Sequence, residues 1–401
     1  MRTERVRKGR YRRRHDAAPY LPLLTARALG RATLDRQLLL RRSETGVLDA
    51  VERLLGLQAQ APRPPYHALA ARLADFRPQQ LSDLLESRQA VRISAMRSTI
   101  HLVSARDARL LRPLLQPVHD RGLRGNFARQ LVGVDLDRLA ALARTLVERQ
   151  PLTFQELGER LREEWPGHEG RSLATAARQL LPLVQVTPRG LWGHAGRAAH
   201  TTLDHWLAAA PGTAPADPDP QRDLPAVLLR YLAAFGPASV KDIQTWCGLT
   251  RLREVIEPLR PRLRTFRDEH GVELLDLPDA PLPDPDTEAP VRFLPEFDNV
   301  ALSHADRTRI LAPEHQGRTW DNNVAYRVLL VDGAIRGLWR IDTAGDTAWL
   351  TIEPFDTLTR PERAAVEDEA AGVLRMTSPD ATHDLRYGQV ARSGGGASKT
   401  G

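Results

Sequence analysis

The amino-acid sequence predicts an α+β fold in which three helix-and-hairpin units follow one another and a small β-rich element ends the chain. Three observations predict this class. Apolar residues recur with helical spacing and then alternate in short strands, and this order appears three times between residues 20 and 280. Beyond a proline-rich segment at 281–290, apolar residues recur at every second position, as in strands. A chain of 401 residues is too long to fold around one ordinary hydrophobic core.

Three helices followed by a hairpin are the layout of a winged helix-turn-helix unit, so the sequence predicts three tandem winged helix-turn-helix units. The predicted segments are a basic tail at 1–19, units at 20–132, 133–210 and 220–280, a β-rich domain at 290–390 and a flexible tail at 391–401.

In the first unit, Thr25 is predicted to cap a helix. Residues 91–103 change period and are predicted to form one half-buried strand, because apolar and polar residues alternate. Arg97, Thr99 and His101 lie on its polar face. The further helices of this unit are predicted at residues 46–55, 67–73 and 79–87.

The second and third units repeat this order. Thr153 with Glu156 forms a capping box for a helix, and in the third unit Ser239 and Thr250 are predicted to cap helices. A Pro/Ala/Asp-rich linker at 208–219 separates the units. The other helices are predicted at 136–149, 171–181 and 224–235, and the strands at 183–186, 190–193, 263–266 and 272–277.

In the C-terminal part, Asp332-Gly333 between apolar runs predicts a hairpin turn. Residues 361–374 have the pattern of a helix, and 393–401 that of a flexible tail. The strands are predicted at 291–294, 326–331, 334–341 and 348–353.

The net charge of +7 is unevenly distributed. Residues 1–15 carry +7, residues 16–210 carry +8 and residues 211–401 carry −8. The basic half predicts a polyanionic partner, most simply nucleic acid. Two interpretations of the first fifteen residues stay open: an arm that lies on phosphates, or an artefact of the assigned start.

Cysteine content and hydropathy exclude several classes of protein. The single cysteine, Cys247, rules out an internal disulfide framework and is predicted to be a buried small residue. No run of eighteen apolar residues is present, so nothing is expected to span a membrane. The basic N-terminus lacks the apolar segment of a secretory signal. These features predict a cytoplasmic protein.

The first candidate site is the segment from Gly56 to Pro62, which follows a helix. Gly56 breaks that helix, and Pro62 favours an extended residue before it. Because extended backbone repeats every second residue, Gln58 and Gln60 are expected to point to the same side. Two surface glutamines without a function are the alternative interpretation.

Several segments together resemble the AlkZ/YcaQ family of winged-helix DNA glycosylases, also described as winged helix DNA-binding domain proteins. These segments are Leu57-Gln58-Ala59-Gln60, Arg97-Ser98-Thr99-Ile100-His101-Leu102, Phe293-Leu294-Pro295-Glu296-Phe297-Asp298-Asn299, Leu302-Ser303-His304-Ala305-Asp306-Arg307 and Val331-Asp332-Gly333. The resemblance covers residues 20–390 and implies tandem winged helices with a β-rich C-terminal part. It also implies excision of N7-alkylated guanine from double-stranded DNA, including guanine tethered in interstrand crosslinks. No metal or organic cofactor is implied.

The resemblance implies that Gln58 and Gln60 are the catalytic residues, in the Gln-x-Gln form of the AlkZ-like branch. An N7-alkylated guanine is cationic, so its glycosidic bond breaks without an acid. A glutamine carbonyl can hold the attacking water, and its amide can donate to a phosphate or sugar oxygen. The residues expected to contact DNA are Arg97, Thr99, His101, Arg171, Arg189, His304 and Arg307.

Alternatives stay open for these contacts and for the function. The polar face with Arg97 and His101 could be a solvated surface, and His304 could hold the C-terminal part together. Arg171 opens a predicted third helix and Arg189 lies at a predicted wing tip, yet each could be an ordinary surface arginine. A non-catalytic winged-helix regulator is the alternative function, and a fold that binds something other than DNA is the third. Because three units fit in one chain, the protein is expected to act as a monomer, associated with the bacterial nucleoid during repair.

Overall fold

A computed structural model of the chain describes residues 21–208, 219–322 and 324–390. The predicted basic tail at 1–19, the centre of the predicted linker and the C-terminal tail lie outside these residues. The α-helices are α1 Ala26–Arg36, α2 Val47–Arg53, α3 Pro64–Arg72, α4 Pro78–Glu86, α5 Ala105–Leu114, α6 Gln116–Phe127, α7 Leu136–Arg149, α8 Phe154–Glu164, α9 Gly170–Leu180, α10 Leu203–Ala208, α11 Pro220–Phe235, α12 Val240–Cys247, α13 Leu252–Ile256, α14 Asn299–Leu302 and α15 Arg360–Thr377.

The strands define four sheets, and with the helices they make a mixed α and β fold. They are β1 Leu57–Gln58, β2 Ala90–Ser94, β3 Ile100–Ser104, β4 Leu152–Thr153, β5 Leu183–Gln185, β6 Ala199–Thr202, β7 Arg264–Arg267, β8 Glu273–Asp276, β9 Arg292–Leu294, β10 Trp320–Asp321, β11 Val324–Ala325, β12 Val328–Val331, β13 Ala334–Ala344, β14 Thr347–Pro354 and β15 Thr382–Tyr387.

In the first predicted unit, residues 20–132, a short strand follows α2 and the β2–β3 hairpin follows α4. Strands pair in the order β1-β3-β2, so the segment after α2 lies beside the hairpin. Thr25 caps α1 as predicted, because its hydroxyl accepts from Ala28 N at 3.2 Å.

The prediction of one strand over residues 91–103 is wrong. The chain turns back between β2 and β3 through a 3₁₀ turn at Met96–Ser98. Arg97 and Ser98 both have positive φ, 55° and 57°, a backbone conformation that reverses the chain and that side chains rarely adopt. Arg97 therefore lies at a hairpin turn and not on a strand face.

The second unit (residues 136–202) extends the sheet of the first unit. Strands β2 and β5 pair, with Arg92 opposite Gln185, and give the six-stranded order β1-β3-β2-β5-β6-β4. The capping box of Thr153 and Glu156 is confirmed. The prediction of a strand at residues 190–193 is wrong. Gly190 has φ 101° and its carbonyl accepts from the Tyr66 hydroxyl, so the chain forms a loop that leads to β6.

The third unit (residues 220–276) repeats the helices and ends in the β7–β8 hairpin. Ser239 caps α12, and Cys247 is buried, both as predicted. Thr250 does not cap α13: the residue before this helix is Arg251, with φ 60°, and Gln244 Oε1 accepts from Leu252 N at 3.3 Å.

The first and third units share one hydrophobic core, whereas most of the second unit packs around another. One cluster joins the β2–β3 hairpin and α5 to the helices of the third unit, and it includes Val91, Val103, Leu228, Tyr231 and Ile243. The second unit has its own core beneath α7, α8 and α9. The turn at Arg97 is thus held against α12 of the third unit.

The C-terminal sheet has the order β15-β14-β13-β12-β9. The hairpin at Asp332-Gly333 is confirmed by positive φ at both residues, and the helix predicted at 361–374 is α15. Strand β15 was not predicted; it pairs in parallel with β14 after the crossover helix. A fully buried pair, Arg72 and Asp298, joins this part to the first unit with hydrogen bonds of 2.8 and 2.7 Å.

Candidate active site

The glutamine segment runs along the edge of the first unit. Leu57 and Ala59 both pack into its core, so Gln58 and Gln60 project from the other side, as the alternation predicts. Gln58 is buried and Gln60 exposed. Gly56 has φ 89°, and a Cβ there would lie 2.6 Å from Val103 Cγ1, so only glycine lets the segment approach β3 this closely.

Gln58 is held by Arg97 from the hairpin turn. Arg97 Nη2 donates to Gln58 Oε1 at 2.8 Å, and Nη1 donates to the carbonyl of Trp246 in the third unit. A guanidinium has no acceptor, so the glutamine atom facing it is the carbonyl oxygen. Within the described part of the chain, Gln58 Nε2 has no hydrogen-bond partner, and it is free to donate to a ligand.

The backbone of β3 orients Gln60 much as Arg97 orients Gln58. Ile100 N donates to Gln60 Oε1 at 3.2 Å, so this side chain also directs its carbonyl inward. Its Nε2 likewise has no partner among the described residues. The sequence predicts that the carbonyls bind only the water. In the structure each carbonyl oxygen already accepts one hydrogen bond and keeps one lone pair for a second donor.

Two arginines give the site a positive charge. Burial, with the charge of Arg307, lowers the pKa of Arg97 to about 10, so it stays cationic at neutral pH. Arg307 lies over the ring of Trp320, with its guanidinium carbon 5.8 Å from the ring centroid, and burial lowers its pKa as well. No carboxylate in the described residues forms an ion pair with either arginine. Their charge is therefore available to a phosphate.

His101 lies directly opposite Gln58 in the β1–β3 ladder. Burial, and then the charge of Arg97, lower the pKa of His101 to about 3, so the ring is neutral. Its Nδ1 is 2.9 Å from the Thr99 carbonyl, which accepts only, so Nδ1 carries the proton. The Thr99 hydroxyl donates to Met96 O at 3.0 Å. Both side chains are thus held by the turn.

The other predicted DNA contacts do not join this cluster. Arg171 is exposed at the start of α9, and Arg189 lies in the loop before β6, where its Nη1 donates to Gly196 O at 3.0 Å. His304 is 1% exposed and its Nε2 contacts Phe235 O at 3.0 Å. Burial lowers its pKa to about 3. This neutral, enclosed ring contacts the third unit, which favours the second predicted role of His304, holding the C-terminal part in place, over a contact with DNA.

Two residues that support the segment were missed from the sequence. Arg92 donates to the carbonyls of Ala59 and Ala61, and Asn299 Nδ2 donates to Gly56 O at 2.9 Å. For Arg92, the sequence signal was an arginine between two apolar residues of a buried strand. Asn299 belongs to a motif quoted for the resemblance, which gave it no role.

Of the two glutamines, Gln60 is exposed at the surface and Gln58 is 7% exposed. A cavity of about 680 Å³ between the third unit and the segment around Asp306 includes neither glutamine.

Known proteins and families match this chain over most of its length. The model of the family "DNA glycosylase AlkZ-like" matches residues 51–376. This match defines the class of protein: a DNA glycosylase, an enzyme that hydrolyses N-glycosyl bonds in DNA. More particularly, the chain belongs to the AlkZ-like DNA glycosylase family.

Two similar proteins come from Streptomyces sahachiroi. One, named "Interstrand DNA cross-link repair glycosylase", is 26% identical over 391 residues, which are 86% of this chain and 94% of the relative. The solved structure of the DNA glycosylase AlkZ from the same organism has a TM-score of 0.73 and 22% identity, and covers 91% of this chain and 99% of that one. The likeness of the structures extends over nearly the whole fold.

No helix in the described ranges combines the length and apolar content needed to cross a bilayer. Among the same residues, no three His, Cys, Asp or Glu side chains come together as a metal site would require.

Proposed function

We propose that this enzyme hydrolyses the N-glycosidic bond of N7-alkylated guanine in duplex DNA and unhooks guanines joined in interstrand crosslinks. The observation that supports it best is the pair of amides with anchored oxygens and free Nε2 groups beside two cations without acid partners. The name of the similar Streptomyces protein supports the crosslink substrate.

The chemistry fits a substrate with its own positive charge. Once guanine N7 is alkylated, the base leaves as a neutral molecule, so no side chain has to protonate it. The remaining requirement is a water held at C1′ and a sugar held in place. The remaining lone pairs of Gln58 Oε1 and Gln60 Oε1 orient the water, and the Nε2 groups donate to sugar or phosphate oxygens.

The arginines and the hairpin turn have supporting roles in this proposal. Arg97 orients Gln58 and adds charge near the lesion, and Arg307 contacts a phosphate. Thr99 is a neutral neighbour of the site, and the buried, neutral His101 supports the strand opposite Gln58. Arg171 and Arg189 contact phosphates farther along the duplex.

The architecture suits a protein that surrounds a duplex. We propose that the three units are winged helices, within the segments 20–132, 133–210 and 220–280, followed by the β-rich domain at 290–390. The recurring order of helices and hairpin supports this assignment. Three units in one chain also support action as a monomer.

The test is incubation with duplex DNA that carries N7-methylguanine, scored for free base and abasic sites. Wild-type protein should release the base without a strand nick, because the proposed site contains no amine nucleophile. Gln58→Ala and Gln60→Ala should each lose most release and keep DNA affinity. Gln89→Ala is the matched control, since Gln89 is an exposed amide at the far end of the β2–β3 hairpin. Release by the Gln58→Ala, Gln60→Ala double variant at the wild-type rate would refute the proposal.

A further inference from the structure

Arg92 lies directly beneath the glutamine segment. Its guanidinium donates to Ala59 O at 2.8 Å and to Ala61 O at 3.4 Å, the carbonyls on either side of Gln60. Its Nε donates to Gln185 Oε1 at 3.1 Å. One side chain thus binds the backbone carbonyls of both residues that neighbour a proposed catalytic residue.

Burying this charged side chain is unfavourable in free energy. It is 2% exposed, and no carboxylate of the described residues pairs with it. Burial, and then the charge of Arg189, lower its pKa to about 10. An enclosed cation with neutral partners only is unfavourable unless its hydrogen bonds are made. An apolar residue would pack at this strand position without that cost, so packing alone does not explain the arginine.

Arg92 also connects the glutamine segment to the second unit. Gln185 lies opposite it where β2 pairs with β5, the joint between the two units. The turn at Gly190 in the second unit packs closely against the same side chain, because a Cβ on Gly190 would lie 2.7 Å from Arg92 Cδ. The planar fork of donors can bind partners on several sides at once, which a lysine ammonium cannot do in the same geometry.

We propose that Arg92 is a positioning residue that fixes the backbone on both sides of Gln60 and ties it to the second unit. This inference rests on the proposed glycosylase function. It requires that loss of Arg92 slows base release more than it weakens DNA binding, because the arginine itself lies under the segment and does not reach the substrate.

The chain provides a close structural control in Arg112. Arg112 is also 2% exposed, and burial lowers its pKa to about 10. It donates to Gln179 O at 2.8 Å, to Leu181 O at 3.4 Å and to Gln116 Oε1 at 2.5 Å. Arg92 and Arg112 thus have the same burial and the same kinds of partner, and only Arg92 contacts the glutamine segment.

The experiment compares Arg92→Lys and Arg112→Lys by single-turnover release of N7-methylguanine, by DNA affinity and by Tm. We expect both variants to lose similar thermal stability. Arg92→Lys should slow release by about 10-fold or more, since small displacements of a catalytic group have effects of this size. Its Kd should stay within about 3-fold, and Arg112→Lys should release base at the wild-type rate.

Gln185→Met and Gln116→Met provide a milder second pair, which decides the matter if Arg92→Lys does not fold. Gln185→Met should slow release by about 3-fold because it loosens Arg92, and Gln116→Met should not. Equal release rates within each folded pair, with an active wild type, would overturn the role of Arg92 and leave the glycosylase proposal intact. A wild type that releases no base would overturn both.

Discussion

The most informative single substitution is Gln58→Glu, because it separates the two ends of the amide. The carboxylate keeps an oxygen 2.8 Å from Arg97 Nη2 and replaces the free NH2 group with a second oxygen. The bond to Arg97 then becomes an ion pair, so the folded state should be as stable as the wild type or more stable. Gln58→Ala, in contrast, removes both ends.

The expected loss of activity follows from the missing donor. A hydrogen bond to a charged group such as a phosphate contributes about 1.5–3 kcal/mol, which corresponds to a reduction of roughly 10- to 150-fold in the rate of base release. The added negative charge beside the DNA backbone acts in the same direction. Arg97 should hold the new carboxylate ionised at neutral pH.

The assay is single-turnover release of N7-methylguanine at saturating enzyme, with Tm measured on the same preparation. Gln58→Glu should approach the low rate of Gln58→Ala while its Tm equals or exceeds that of the wild type. A Gln58→Glu enzyme that releases base at the wild-type rate or faster would refute the assigned role of Nε2. That result would mean that the oxygen alone is needed, or that a base at this position helps.

Three further predictions concern pH, the buried ion pair and the surface arginines. Lowering the pH from about 6.5 to about 4 should reduce the free energy of unfolding by up to about 1.4 kcal/mol per pH unit for each buried histidine whose pKa is lowered, because the unfolded state binds protons that the folded state does not. These histidines are His67, His101, His119, His200 and His304. Denaturant titrations at several pH values measure this. Arg72→Ala should destabilise the fold by about 3–5 kcal/mol, since it leaves the enclosed Asp298 charge without a partner; thermal unfolding measures it. Arg171→Ala and Arg189→Ala should each reduce the salt dependence of DNA affinity by about one unit of slope and leave the release rate at saturation unchanged; binding isotherms at several salt concentrations measure the slope.

Each of these predictions has a distinct contrary result. A free energy of unfolding that stays constant from pH 6.5 to 4 would contradict neutral buried histidines. An Arg72→Ala variant with the wild-type Tm would mean that the pair adds nothing across the joint between the first unit and the C-terminal sheet. Unchanged salt slopes would place Arg171 and Arg189 away from the DNA.

Local signals predicted the parts of the fold that depend on neighbouring residues. The span of α7 and the capping box at Thr153 follow from apolar spacing and a side chain that bonds three residues on. The parts that were missed depend on distant contacts. The turn at Arg97 uses positive φ in residues with no preference for it, and it is held by the third unit. Strand β15 is an edge strand with one exposed face, so its apolar alternation is weak.

In the candidate site, too, the residues that depend on local signals were predicted and those that depend on distant contacts were not. Gln58 and Gln60 could be found because Gly56 breaks a helix and the following backbone alternates. Arg92 and Arg97 could not be assigned their roles, because their partners are separated from them by 31 to 149 residues along the chain. Sequence spacing describes one element at a time, whereas these arginines act across units.

The selectivity of the proposed reaction follows from what surrounds the amides. His101 is neutral and its Nδ1 proton is held by Thr99, while Arg97 can donate but cannot accept a proton. A water at this site is therefore oriented by neutral oxygens and not strongly deprotonated. Orientation alone lowers the barrier by the same amount for every base that reaches the site. Only a base whose glycosidic bond is already weakened by its own positive charge then leaves at a useful rate, and we expect unmodified guanine in the same duplex to be spared.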